Sequence, residues 1–131
     1  MTEAQKVAAA NLDQFTGTEG WHRWSVLFPQ HLLTDGTQYA AESLGAYWLM
    51  DAIASHTGAK GADPEMQFWK LEKADNGGCN LVGRNDSNVE PFVVQHIEYT
   101  DFPEELMPFE IWVSKMYTAP PHHVLMLRSE Y

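Results

Sequence analysis

The feature that most constrains this chain is a change of hydrophobic period near Gly58 and Gly61. Before these glycines the apolar residues recur at helical spacing, and after them short aromatic and β-branched runs alternate with turn-forming residues. In the first part, EAQKVAAANLDQ (Glu3 to Gln14) is Ala-rich and predicts a terminal helix. The run FTGTEGWHRWSVLFP is interrupted by Gly17, Gly20 and Pro29, which predicts a loop with a short helical turn around Glu19 to Trp24. The clearest helical signal is LLTDGTQYAAESLGAYWLMDAIASHTG, where Thr34 and Asp35 are N-cap candidates and Tyr39, Ala40, Ser43 and Leu44 share a face. Gly45 predicts a break or kink. From Ala46 to Met50 the apolar side chains nearly encircle the axis, and the expectation is a helix buried on most sides.

Beyond Gly61, MQFWKLEK, CNLVGR and PFVVQHIEY are separated by ADNGG and NDSNVE, which carry turn chemistry. These predict three antiparallel strands joined by hairpins. YTDFPEELM has the marks of a short helix, with Thr100 or Asp101 as cap, Pro103 in the first turn and Glu104 and Glu105 near the positive end of its dipole. FEIWVSKMY and VLMLRSEY predict a final hairpin, and the run Val124 to Leu127 is apolar enough to require cover on both faces. Helices first and strands afterwards give an α+β class: N-terminal helices packed on an antiparallel sheet of about four to five strands, with residues 1–131 as one globular domain.

Charge narrows the range of partners. The chain carries 18 acidic residues against 8 Lys and Arg, a formal charge of −10. Direct binding of nucleic acid depends on neutralising phosphates with Lys and Arg, and this balance disfavours it. No Lys or Arg occurs between Arg84 and Lys115, whereas Asp86, Glu90, Glu98, Asp101, Glu104, Glu105 and Glu110 fall in that stretch. These seven are the candidate protein-binding residues, because a one-sided acidic field attracts a basic partner and repels DNA or an anionic membrane. The plain alternative is a solvated acidic surface. Cys79 stands alone and forms no internal disulfide, which suits a reducing compartment. No run approaches the roughly 18 to 20 apolar residues of a membrane span, so the expectation is a soluble cytoplasmic protein.

Motifs that dictate a reaction are absent. There is no Walker loop, no GxGxxG and no HExxH, and no cofactor is expected. A metal set of His96, His122 or His123 and Asp101 has suitable ligand chemistry; the competing reading makes His122 and His123 solvated loop residues beside Pro120 and Pro121. Cys79 with His96 as base is a conceivable nucleophile pair, against a small packing residue in a strand. Trp21, Trp24 and Trp112 are candidates for exposed recognition, while Tyr47 and Trp48 read as core. Thr16, Thr18, Glu19, Thr34 and Asp35 form a polar set that reads as capping chemistry or as the rim of a pocket.

The runs FTGTE (Phe15 to Glu19), TDG (Thr34 to Gly36), GAYWLMDAIAS (Gly45 to Ser55), YTDFP (Tyr99 to Pro103) and the terminal SEY (Ser129 to Tyr131) resemble a family of small uncharacterised proteins of bacteria and their phages. The resemblance covers most of the chain after Phe15 and concerns a domain of unknown function, so it implies no reaction and no catalytic residue. It implies a setting in phage genomes and mobile elements, where small acidic proteins act as anti-CRISPR-like inhibitors of host defence or as DNA mimics. The leading expectation is an acidic module that binds a basic protein, such as a nucleic-acid-binding defence component. The alternatives are a small metal- or His/carboxylate-dependent enzyme and a homo-oligomeric protein whose exposed aromatics make a self-interface.

Overall fold

A computed structural model describes residues 1–131. The elements in chain order are α1 (Glu3–Leu12), β1 (Trp21–His22), β2 (His31–Thr34), α2 (Asp35–Ser43), α3 (Tyr47–His56), β3 (Met66–Lys73), β4 (Cys79–Arg84), β5 (Val93–Ile97), β6 (Phe109–Met116) and β7 (His122–Leu127). Single 3-10 turns cover Glu104–Leu106 and Arg128–Glu130. The strands form one sheet in the order β1-β2-β7-β6-β3-β4-β5. Every pairing is antiparallel except β2 with β7, which is parallel.

The class is therefore α+β, as the order of periods predicts, but the sheet is mixed and has seven strands. The additional strands come from β1 and β2, which have only 2 and 4 residues and are too short to display an alternation of their own. β1 occupies the place where a helical turn is expected around Glu19 to Trp24, and β2 takes up the residues that read as the approach to a helix. β2 is a strand because β7 offers it an edge, and β1 because β2 then offers its own outer edge, not because of local propensity.

In the long strands the alternation is clean. Gln67, Trp69 and Leu71 of β3 and Phe109, Ile111 and Val113 of β6 are buried, while the residues between them are half-exposed. The register pairs Trp69 with Ile111 and Phe68 with Trp112, so the two phases stay on opposite faces from strand to strand. Leu33, Leu71, Leu81, Ile111, Val113 and Leu125 meet Ala40, Leu49, Met50 and Ile53 of the helices in one core. Trp69 fills the space left by Gly83 opposite it, where an added Cβ would lie 2.7 Å from the indole.

The helical half breaks where the sequence indicates. α2 is capped by Thr34, whose hydroxyl accepts from Thr37 N–H, and Gly45, at φ +62°, turns the chain into α3. α3 is amphipathic, not buried on most sides: Leu49, Met50, Ile53 and Ala54 are buried, whereas Trp48 is half-exposed and Asp51 and Ser55 are exposed. Its outer face is met only partly, by Trp24, which donates to Asp51, and by a concavity that Leu27, Phe28, Gln95 and Ile97 share with Trp48. The helix expected in YTDFPEELM is one 3-10 turn preceded by Pro103 and has no side-chain cap. Thr100 accepts from Phe102 N–H, and Asp101 accepts from the Tyr99 hydroxyl. Burial of Phe102 against Phe109, with centroids 5.1 Å apart, draws the chain inward and delays the turn.

Candidate functional site

The seven acidic candidates separate into three places. β4 and β5 pair Cys79 with Ile97 and Gly83 with Val93, so residues beyond Arg84 and before Val93 lie at one end of the sheet and residues beyond Ile97 at the other. Asp86 and Glu90 belong to the first end. Glu98, Asp101, Glu104 and Glu105 belong to the second, on the segment that runs from edge strand β5 past the ends of β4 and β3 to β6. All four are exposed. Phe102 and Pro103 are buried beneath this segment, so its carboxylates project from an anchored backbone. Their neutralisation is partial: Glu105 meets the N-terminal ammonium at 2.9 Å, which lowers its carboxyl pKa, and Glu104 lies 4.0 Å from Lys73. Asp75, in the adjoining β3–β4 hairpin, is exposed at the same end.

Glu110 is in neither group. It stands on β6 in the phase facing away from the helices, 3.7 Å from both Lys70 and Arg128. Around it the open face of the sheet forms a cleft of about 380 Å³ lined by Phe68, Lys70, Arg84, Trp112 and Arg128, with Asp86 and Ser87 at its rim. Phe68 and Trp112 meet edge to face at 4.9 Å, and Tyr131 stands against Trp112 at 5.2 Å. Trp112 thus lies on the open face, as one alternative for the tryptophans expects. The three cations were not singled out from sequence. The available signal was that Lys70 and Arg84 share the outward phase of neighbouring strands with Phe68.

The polar set near Gly20 and Thr34 is assembled as capping chemistry. Asp35 N–H donates to the Thr18 hydroxyl, Glu19 N–H donates to the Asp35 carboxylate, and His22 Nε2 lies 2.7 Å from the other Asp35 oxygen. His22 holds the Asp35 carboxyl below its ordinary pKa. From the far end of the chain, the Glu130 carboxylate accepts from the Thr34 hydroxyl at 2.6 Å, from Gly36 N–H at 2.9 Å and from Leu127 N–H at 3.0 Å. Gly36 permits this approach, since a Cβ there would lie 2.5 Å from a Glu130 oxygen. The FTGTE, TDG and SEY runs, distant in sequence, therefore meet at the start of α2.

The histidines do not gather around a metal. β7 and β5 are four strands apart, roughly 19 Å at the usual strand spacing, so His96 does not join His122 or His123 in one coordination sphere. No three His, Cys, Asp or Glu side chains lie where they could hold a metal ion. His96 instead contacts the Asn80 amide oxygen at 2.9 Å. His122 and His123 are strand residues and not the solvated loop residues expected beside the prolines, because β6 pairs Met116 with His122 and Lys115 with His123, and β2 on the other edge places His31 opposite His123. These two rings stack with centroids 5.2 Å apart. Burial and the neighbouring histidines depress the His31 pKa to about 4, and burial with Lys115 lowers that of His123. Cys79 is fully buried and its thiol pKa is raised by burial, as a packing residue would be; it pairs with Ile97, and its neighbour Asn80 with His96, so thiol and imidazole point to opposite faces.

No helix is long and apolar enough to cross a membrane. A family model described as "Family of unknown function (DUF6876)" matches residues 6–131. No curated protein and no solved structure matches the chain.

Proposed function

We propose that this chain, which belongs to the family of unknown function DUF6876, is an acidic protein-binding module that docks a basic partner through the Glu98 to Glu105 end of its sheet. One observation carries this reading: Glu98, Asp101, Glu104 and Glu105 project from a backbone pinned by buried Phe102 and Pro103. Charges held on a fixed frame lose little conformational entropy on association, and their field steers an oppositely charged surface towards them. Asp86 and Glu90 lie at the other end and contribute only to the long-range field. The reading extends to a setting in bacteria and their phages or mobile elements, to a cytoplasmic location, and to inhibition of a host defence protein whose basic surface normally meets nucleic acid.

The test begins with capture of partners from a bacterial lysate at low and moderate salt, followed by association kinetics with the purified partner. A variant with Glu98, Glu104 and Glu105 changed to Gln is compared with a control carrying Asp86→Asn and Glu90→Gln. The expected result is association about tenfold slower at low salt for the first variant, with a shallower salt dependence, and a near-normal rate for the second. Melting should hardly change in either, since exposed ion pairs contribute little to stability. Equal association rates for wild type and the first variant at every ionic strength would reject this docking surface.

A further inference from the structure

The cleft on the open face differs from the rest of the molecule in sign. Of the 8 Lys and Arg residues in a chain of net charge −10, three (Lys70, Arg84 and Arg128) line this one cavity. Glu110 is shared between Lys70 and Arg128 at 3.7 Å from each, too far for a direct hydrogen bond to either. Arg84 has no carboxylate within ion-pair distance. Two guanidinium groups and one ammonium thus line the cavity against two carboxylates, Glu110 and Asp86, which leaves it one positive charge in excess. The donor geometry of guanidinium matches carboxylate and phosphate oxygens in pairs.

The other wall is aromatic. Phe68 and Trp112 line it with ring centroids 4.9 Å apart, and the mostly exposed Tyr131, outside the cavity, stands against Trp112 at 5.2 Å. The cavity volume of about 380 Å³ is that of a small-molecule site, too small for a folded partner to enter. We propose that this cleft binds a small aromatic anion, its flat ring against Trp112 and Phe68 and its phosphate or carboxylate held by Arg84, Lys70 and Arg128. Glu110 and Asp86 oppose anions that lack a ring, because binding a bare charge near them brings no stacking in compensation. This site is independent of the acidic docking surface, which lies at the end of the sheet and involves none of these residues.

Two probes separate the two anion types: adenosine 5′-monophosphate offers a phosphate and indole-3-acetate a carboxylate, each on a flat ring. Inorganic phosphate and indole supply the two halves alone. Titration is followed by calorimetry and by NMR of the Trp112 indole N–H and the arginine side chains. At least one aromatic anion should bind and shift the Trp112, Arg84 and Arg128 signals, with each isolated half at least tenfold weaker. Arg84→Gln and Arg128→Gln should each weaken that binding by about tenfold with unchanged melting. Absence of any shift at millimolar probe, or equal affinity in the wild type and both variants, would overturn the proposal. So would sedimentation showing that a second copy of the chain covers this face and excludes the probes.

Discussion

The two faces of the sheet are written in the same strands, one residue apart, and they differ in nearly every physical respect. On the helix-covered face Leu71, Leu81, Ile111, Val113 and Leu125 are at most 1% exposed. On the other, Lys70, Glu110, Trp112 and Met126 are half-exposed, and charged and aromatic groups share a concavity. Because side chains alternate strictly, a strand can carry a packing sequence in one phase and a recognition sequence in the other with little interference. Stability is concentrated on the first face, and the charges free to meet a ligand are concentrated on the second.

Adjacent substitutions on β6 test that division with the largest expected effect. Ile111→Ala should destabilise by about 2 to 5 kcal/mol, as truncation in a closed core does, and Trp112→Ala by no more than about half of that, because its ring is partly solvated. Denaturant unfolding at constant m-value measures both. Equal losses would mean that the open face is as closed in solution as the covered one.

Glu130 links the faces, reaching from the turn after β7 to the start of α2. Glu130→Ala leaves Gly36 N–H, Leu127 N–H and the Thr34 hydroxyl without their acceptor and should cost about 1 to 3 kcal/mol. A thermal melt unchanged by this substitution would show that water replaces the carboxylate without loss.

The smallest effect concerns pH at the end of the covered face. His31 stays neutral in the fold to about pH 4, whereas an unfolded histidine takes up a proton near pH 6.5. The unfolded state therefore binds more protons in that window, and stability falls as pH drops from about 6.5 towards 4, levelling off below. His31→Asn should lack about 1 to 2 kcal/mol of this decline relative to wild type, with His31's partial exposure already discounted. Parallel stability curves for the two proteins between pH 7 and 4 would remove the assignment.

Much of the fold was legible in the sequence because β3 and β6 have 8 residues each, long enough for a period of two to show, and because β4 and β7 are compact apolar runs set off by turn residues. The break at Gly45 and the Thr34 cap were legible because they rest on local backbone chemistry. β1 and β2 were not: β2 depends on β7, about 90 residues later, which no local pattern encodes, and β1, with 2 residues, pairs only with β2. The half-exposure of Trp48 was missed for the opposite reason: composition makes Ala46 to Met50 look uniformly apolar, and only the placement of neighbouring elements decides which side is covered. The site was legible as charge and not as shape. The run from Asp86 to Glu110 is continuous in sequence, yet β5 carries Glu98 to Glu105 to the end of the sheet away from Asp86 and Glu90, β6 sets Glu110 on the open face, and the cationic cleft draws Lys70, Arg84 and Arg128 from three separate segments.

The contacts at the start of α2 set an order of events during folding. Gly36 and its acceptor Glu130 are 94 residues apart, and β2 pairs with a strand made almost as late. The entropy of closing so long a loop opposes both contacts, so they are expected to form after the local hairpins β3–β4 and β6–β7. The β2 edge and the Glu130 contacts are accordingly the part of the structure expected to open first and to lose amide protection earliest.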